Sequence, residues 1–116
     1  MKRLFRLTRP TDFQRVRRYG KSYAHPLVVL VVAPNQEDMP RFGVAAGRSV
    51  GTAVRRNRAK RRLREALRLN MESITPGWDY LVIARRPIAQ ASLMQIQDAL
   101  AALMKRAKLW RNDEHS

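Results

Sequence analysis

The chain has 116 residues, with 24 Lys and Arg against nine Asp and Glu, and a formal net charge of +15. That length suits one domain with one modest core. The charge calls for a polyanionic partner, and nucleic acid is favoured over a membrane because there is no apolar run of about 18 residues and no lipidation motif. Without cysteine, and with only His25 and His115 far apart, the chain offers no disulfide, no thiolate metal site and no metal-ligand spacing. The basic start MKRLFRL lacks the apolar core of a secretory signal, so a cytoplasmic location is expected.

Residues 1–7 read as a flexible basic arm. Thr8 before Pro10 resembles a cap and first helical position, and a short helix follows over about Arg9–Tyr19, with Phe13 and Val16 on one face. Gly20 ends it in a C′ role. Phe13 is a core residue or, on a basic helix, a stacking surface for an unpaired base. Lys21–Pro34 reads as extended, divided at His25-Pro26. The six branched residues Leu27–Val32 predict a strand covered on both faces. Asn35–Pro40 reads as a hairpin loop and Arg41–Gly47 as the returning strand, with Gly43 suggesting close backbone packing. A glycine-containing loop, Arg48–Thr52, leads into a helix for which Thr52 is a good N-cap.

That helix, Ala53–Leu69 or Met71, concentrates the charge. Eight of the fourteen residues from Arg55 to Arg68 are Lys or Arg, and Glu65 is the one acid among them. At about 100° per residue, Ala59, Leu63, Ala66 and Leu67 share a core-facing side. Asn57, Lys60, Arg61, Arg64 and Arg68 form an adjacent cationic stripe, and Arg58, Arg62 and Glu65 lie further round. A solvated face usually mixes signs; here Arg58/Arg62, Lys60/Arg64 and Arg64/Arg68 repel at i,i+4, which a polyanion would relieve. Ser73–Gly77 breaks the helix. Trp78–Ala84 reads as a strand in which Asp79 and Tyr80 are strand-edge pairing residues, and Arg85-Arg86-Pro87 closes it. Ser92 and Gln95 match a capping box, and an apolar stripe from Leu93 to Ala107 predicts a core-packing helix through Lys108. Trp110–Ser116 reads as a frayed tail. The expected fold is α+β: an α-β sandwich of order α-β-β-β-α-β-α with helices against a four-stranded sheet. No Ser/His/Asp set, paired-carboxylate motif or metal cluster marks the chain as a catalyst in its own right.

The run Gly51-x-Ala53-Val54-x-Arg56-Asn57-Arg58-x-Lys60-Arg61-x-x-Arg64-Glu65 resembles the arginine-rich helix of the bacterial ribonuclease P protein subunit. Asp12-Phe13-x-x-Val16 with Gly20-Lys21-Ser22, Arg41-Phe42-Gly43-Val44 and Asp79–Arg85 resemble further segments of that family, so the likeness spans about residues 3–108 of a single domain over 1–116. It implies a left-handed β-α-β crossover around the basic helix, against the general right-handed rule. It also implies a protein that joins a large catalytic RNA and precursor tRNA, with the RNA and its Mg²⁺ ions removing the 5′ leader. No cofactor of the chain itself and no obligate protein partner are expected.

Carried over, Arg56, Asn57, Lys60, Arg61 and Arg64 match the family's positions for RNA binding. The neighbouring cations Arg48, Arg55, Arg58, Arg62 and Arg68 join them by charge. Phe13 matches an aromatic on the floor of the leader-binding cleft, where Arg9, Arg17, Val31 and Arg85 are also expected. Arg17 stands where relatives can carry a second aromatic, and Val31 where the central strand can carry one. Phosphate contacts are therefore expected to count for more here and stacking for less. The competing readings are a general RNA-binding or ribosome-associated basic protein and a protein nuclease.

Overall fold

The computed structural model describes residues 5–111; the outermost parts of the expected arm and tail, 1–4 and 112–116, lie outside them. Three α-helices, α1 (Pro10–Tyr19), α2 (Ala53–Leu69) and α3 (Leu93–Arg106), accompany four strands, β1 (Lys21–Ala24), β2 (Val28–Pro34), β3 (Arg41–Ala46) and β4 (Trp78–Ala84). Short 3₁₀ turns at Arg48–Val50, Met71–Ser73 and Arg86–Gln90 punctuate the connections. The sheet order is β1-β2-β4-β3, with β1/β2 and β2/β4 antiparallel and β3/β4 parallel. The α+β sandwich of order α-β-β-β-α-β-α is thus the observed fold, and α2 lies within the β3–α2–β4 crossover.

Two expectations about strands are corrected. Residues 35–40 are not a hairpin loop, because β4 pairs with β2 along all seven residues and separates it from β3. The loop instead arches over the start of β4: the Asn35 amide donates to the Gly77 carbonyl (3.0 Å), and the Gly77 amide donates to the Met39 carbonyl (3.3 Å). Gly77 fits this turn because its φ of +86° lies in the region that L side chains rarely adopt. Asp79 and Tyr80 consequently stand on an inner strand and are fully buried, not at an edge.

The period-two alternation of β2 and β4 builds two cores. Val28, Leu30, Val32, Tyr80 and Val82 face α2 and α3, where Leu63, Leu67, Ile96, Leu100 and Leu103 complete the larger cluster. Phe42 stacks on Tyr80 with ring centroids 5.3 Å apart. The opposite face carries a smaller cluster of Leu7, Val16, Val31, Ala33 and Leu81 under α1. The six-residue apolar run is therefore covered on both faces, though unequally.

Local chemistry explains the helix ends. The Thr52 hydroxyl accepts from the Arg55 amide (3.3 Å), and Ser92 and Gln95 form the reciprocal capping box. Thr8 does not cap α1; Arg9 is its N-cap, without a side-chain bond, and Pro10 takes the first turn. Gly20 is not left-handed either: its backbone is extended (φ −76°, ψ 163°). Glycine suits that position sterically, since a Cβ there would sit 2.4 Å from the Val16 carbonyl oxygen and 2.7 Å from Val31 Cγ1. Both termini of the described chain are tied down rather than free. Arg6 pairs with Phe42 beside the β3 edge and Leu7 donates to the Phe42 carbonyl (2.8 Å), while Trp110 bridges to Ile74 and the Arg111 amide donates to Ser73.

Candidate nucleic-acid interface

Ala59, Leu63, Ala66 and Leu67 are the buried residues of α2, as its periodicity predicts. Burying that stripe turns the rest of the circumference outward and displays its cations. They are not equivalent. Arg68 lies against Glu65 in a two-pronged pair (3.0 and 2.6 Å), which holds the Glu65 carboxyl below its ordinary range and raises the guanidinium. Arg62 donates to the Ala91 carbonyl (2.6 Å) and fastens α2 to the turn before α3. Asn57, Lys60, Arg61 and Arg64 line a shallow groove with Val54 on one flank. Arg48, Arg55 and Arg58 are exposed, Arg56 is half-buried, and none of the four has a carboxylate partner among the described residues.

Arg64 connects this flank to the other face of the sheet. It lines a narrow crevice with Arg6, Leu7, Phe13, Phe42 and Val44, around the edge of β3 that Arg6 and Leu7 flank. Burial and the positive charge of Arg6 both lower its tendency to hold a proton, so an anion there would relieve an unfavourable environment. Phe13 owes its position to Gly43: a Cβ on that residue would lie 2.5 Å from the ring. Its other side lines a groove with Thr8, Pro10, Gln14 and Arg17. Phe13 therefore stands between Arg64 and Arg17, and Arg9 is exposed at the start of the same helix.

Val31 does not belong to an open surface. It is 3% exposed, packed beneath α1 beside Val16 and Gly20, which corrects the expectation that it offers the cleft a contact. The reason is the alternation itself. Val31 and Leu81 are cross-strand partners in the row that α1 covers, whereas Val29, Ile83 and Ala45 form the next row on that face and remain half-buried. Val29 and Ile83 were missed as candidates, although their spacing of two from Val31 and Leu81 was a readable signal. Arg85 follows two residues after Ile83, exposed, with its guanidinium donating to the His25 carbonyl (3.2 Å).

Asp79 anchors this side. Its carboxylate accepts from Arg41 (2.8 and 2.9 Å), from Asn35 (2.9 Å) and from Arg15 of α1. Burial alone would raise its pKa; the hydrogen bonds of Arg41 and Asn35, the Arg41 charge and the Arg15 bond outweigh burial and hold it below the usual carboxylate range. A buried acid so fully bonded locates α1 on the sheet and thereby sets where Phe13 lies. Among the described residues no cluster of three or more His, Cys, Asp or Glu is placed to hold a metal ion, and no helix is long and apolar enough to cross a membrane.

The family described as Ribonuclease P matches residues 1–108. The chain belongs to the ribonuclease P protein family. It is 46% identical over 114 residues to the ribonuclease P protein component of Herpetosiphon aurantiacus, covering 98% of this chain and 93% of that one. The ribonuclease P protein of Staphylococcus aureus superposes with a TM-score of 0.82 at 33% identity, covering 92% of this chain and 98% of that one. That of Thermotoga maritima gives 0.79 at 32%, covering 87% and 96%. The chain is thus the protein subunit of the ribonucleoprotein endonuclease that matures the tRNA 5′ end, and the reading as a general ribosome-associated protein is not favoured.

Proposed function

We propose that the protein binds the catalytic RNA of its holoenzyme through the Asn57–Lys60–Arg61–Arg64 flank of α2 and receives the single-stranded 5′ leader of precursor tRNA in the groove beside Phe13. Arg56 and the Arg48–Thr52 loop extend the RNA-facing surface, Arg9 and Arg17 supply leader phosphate contacts, and Arg85 closes the far end of the open row. The observation that carries this reading is the shared crevice of Phe13 and Arg64, which makes leader and catalytic RNA neighbours on one protein. The chemistry belongs to the RNA and its Mg²⁺ ions, and the protein positions both strands.

Each part has a physical role. Phosphate contacts from arginine carry no base information, so leaders of different sequence are accepted. Phe13 adds a sequence-tolerant stacking surface. Asn57 is exposed within the cationic flank and can both donate and accept, as contact with a ribose 2′-hydroxyl requires.

The test is Phe13→Ala in the reconstituted holoenzyme. Affinity for precursor tRNA with a leader is expected to fall by about 1 kcal/mol, the low end of the range for one stacked base, with binding of mature tRNA unchanged. Equal losses for both RNAs would place Phe13 outside the leader site.

A further inference from the structure

The half-open row beside α1 does not stop at β2. Ala45 pairs with Ile83, Ile83 with Val29, and Val29 with Ala24 of β1. Side chains of paired residues share a face of the sheet, so Ala24 carries the row to the outer edge, where it is exposed. Three strand spacings of about 4.8 Å make this floor roughly 14 Å wide. It runs from the β3 side, where the Phe13 ring lies against Gly43, to β1. It is aliphatic and uncharged throughout.

At the β1 end the floor meets three exposed cations. The Arg106 guanidinium reaches over from the C-terminal end of α3 and donates to the Ala24 carbonyl (2.8 Å). The Arg85 guanidinium donates to the next carbonyl, that of His25 (3.2 Å). Consecutive carbonyls at one strand end thus hold two guanidiniums from separate segments. The half-buried Tyr23 ring adds a third cation, with Arg106 Cζ and Lys21 Nζ each 5.8 Å from its centroid. Among the described residues no carboxylate pairs with Arg85, Arg106 or Lys21. A neutral carbonyl orients a guanidinium without compensating its charge, and each guanidinium keeps further N–H donors to offer. A lysine on an edge strand also discourages pairing with another sheet; that does not account for two guanidiniums gathered at the same strand end.

We propose that Arg106, with Lys21 and Arg85, forms a distal leader subsite, holding a backbone phosphate where the leader leaves the sheet at β1, farther from the cleavage site than the nucleotides at Phe13. This subsite presupposes that the groove beside Phe13 is the leader site. The aliphatic floor offers bases apolar contact without hydrogen bonds, and cations grip the backbone at both ends, so the length of the leader is read and its sequence is not. Catalytic RNA is not the occupant, because α2 packs over β3 and β4 whereas β1 is the far edge of the sheet.

The experiment measures affinity of the reconstituted holoenzyme for precursor tRNAs whose leaders lengthen one nucleotide at a time. With the unaltered protein, affinity should rise beyond the length that reaches Phe13 and level off once the strand passes β1. Arg106→Gln should leave short-leader substrates unchanged and weaken long-leader substrates roughly two- to fivefold, as loss of an exposed ion contact does. It should also lower their salt slope by about 0.7, the value for one phosphate of a single strand. Arg106→Lys should restore most of that slope. Lys21→Gln, at an exposed position of β1, should reproduce the length-selective loss, and it decides the outcome if Arg106→Gln lowers the melting temperature. A loss equal at every leader length, or one seen in binding of the catalytic RNA alone, would overturn the subsite, as would unaltered long-leader affinity. Phe13→Ala, measured alongside, separates the two levels: if it weakens leader binding while Arg106→Gln and Lys21→Gln do not, only the distal subsite is refuted; if none of the three does, the groove is not the leader site.

Discussion

The two faces of the sheet are built to different standards. Against α2 and α3 it buries a cluster of twenty-one residues, with Tyr80, Leu30, Leu63 and Leu100 among its largest side chains. Against α1 it buries five. A ten-residue helix covers one row of the second face and leaves Val29, Ile83 and Ala45 half-open beside it. The first face has the apolar area to stabilise the fold. The second relies on the polar cluster around Asp79 to place its helix, and its incomplete cover leaves a groove. On the proposed reading of the groove, stability and recognition are divided between the two sides of one sheet, and α2, buried along one stripe and cationic elsewhere, serves both.

That division can be broken most severely from the large core. Leu63→Ala removes a fully buried side chain and should cost about 3 kcal/mol or more of stability, read as a lower urea midpoint. Protein that remains folded should keep its discrimination between leader-bearing and mature tRNA. Selective loss of leader binding at full stability would contradict the division.

Asp79→Asn attacks the placement of α1. Losing the acid charge leaves Arg15 and Arg41 with only the 3.8 Å approach of Asp12, and because both guanidiniums reach solvent the cost should be about 2 kcal/mol, the scale of charge-assisted hydrogen bonds. Leader binding should fall more than affinity for the catalytic RNA, because Phe13 travels with α1. Acid unfolding provides a second readout. The folded-state pKa of Asp79 is depressed, so its contribution is fully present above the unfolded value of about 3.9 and is lost as pH falls through the lower folded value. Wild type should therefore lose stability below about pH 4, and Asp79→Asn should show a shallower acid limb. Identical limbs would mean that the carboxylate contributes nothing.

The smallest and sharpest test places one substitution at two positions on a single face. Val29→Tyr adds a ring to the open row and should raise leader affinity by up to about 1 kcal/mol, toward the value of a stacked base. Val31→Tyr forces the same ring under α1 and should cost about 1–3 kcal/mol of stability by overpacking. Equivalent behaviour of the two variants would refute the assignment of Val29 to the groove and Val31 to the core.

Much of this was legible without coordinates. Helical periodicity marked Ala59, Leu63, Ala66 and Leu67 as the inner stripe of α2 and thus which cations face outward, because a helix's side-chain directions follow from its pitch. Thr52, Ser92 and Gln95 announced two helix starts, since caps satisfy local amide groups. Gly43 signalled close packing, and its neighbour is the Phe13 ring. What failed depended on partners distant in the chain. Strand order is not local: nothing in Asn35–Pro40 says that β4 will come between β2 and β3. Nor does the alternation along β2 reveal how far a short helix reaches across it, which is why Val31 was expected in the groove and Val29 was overlooked. Arg62 and Arg68 looked as available as their neighbours until Ala91 and Glu65 were seen to occupy them.

By itself, then, the sequence determined the helices, the strands, the cationic character of α2 and the family to which the chain belongs, since each is carried by residues close together or by a spaced motif. Tertiary structure alone decided which strand is inner, which half of the second face stays open, and what the cations of α2 meet: Arg64 shares a crevice with Phe13, while Arg62 bonds the turn before α3. Those outcomes turn on contacts between segments tens of residues apart, where burial and hydrogen bonding select among arrangements that local propensity leaves equal.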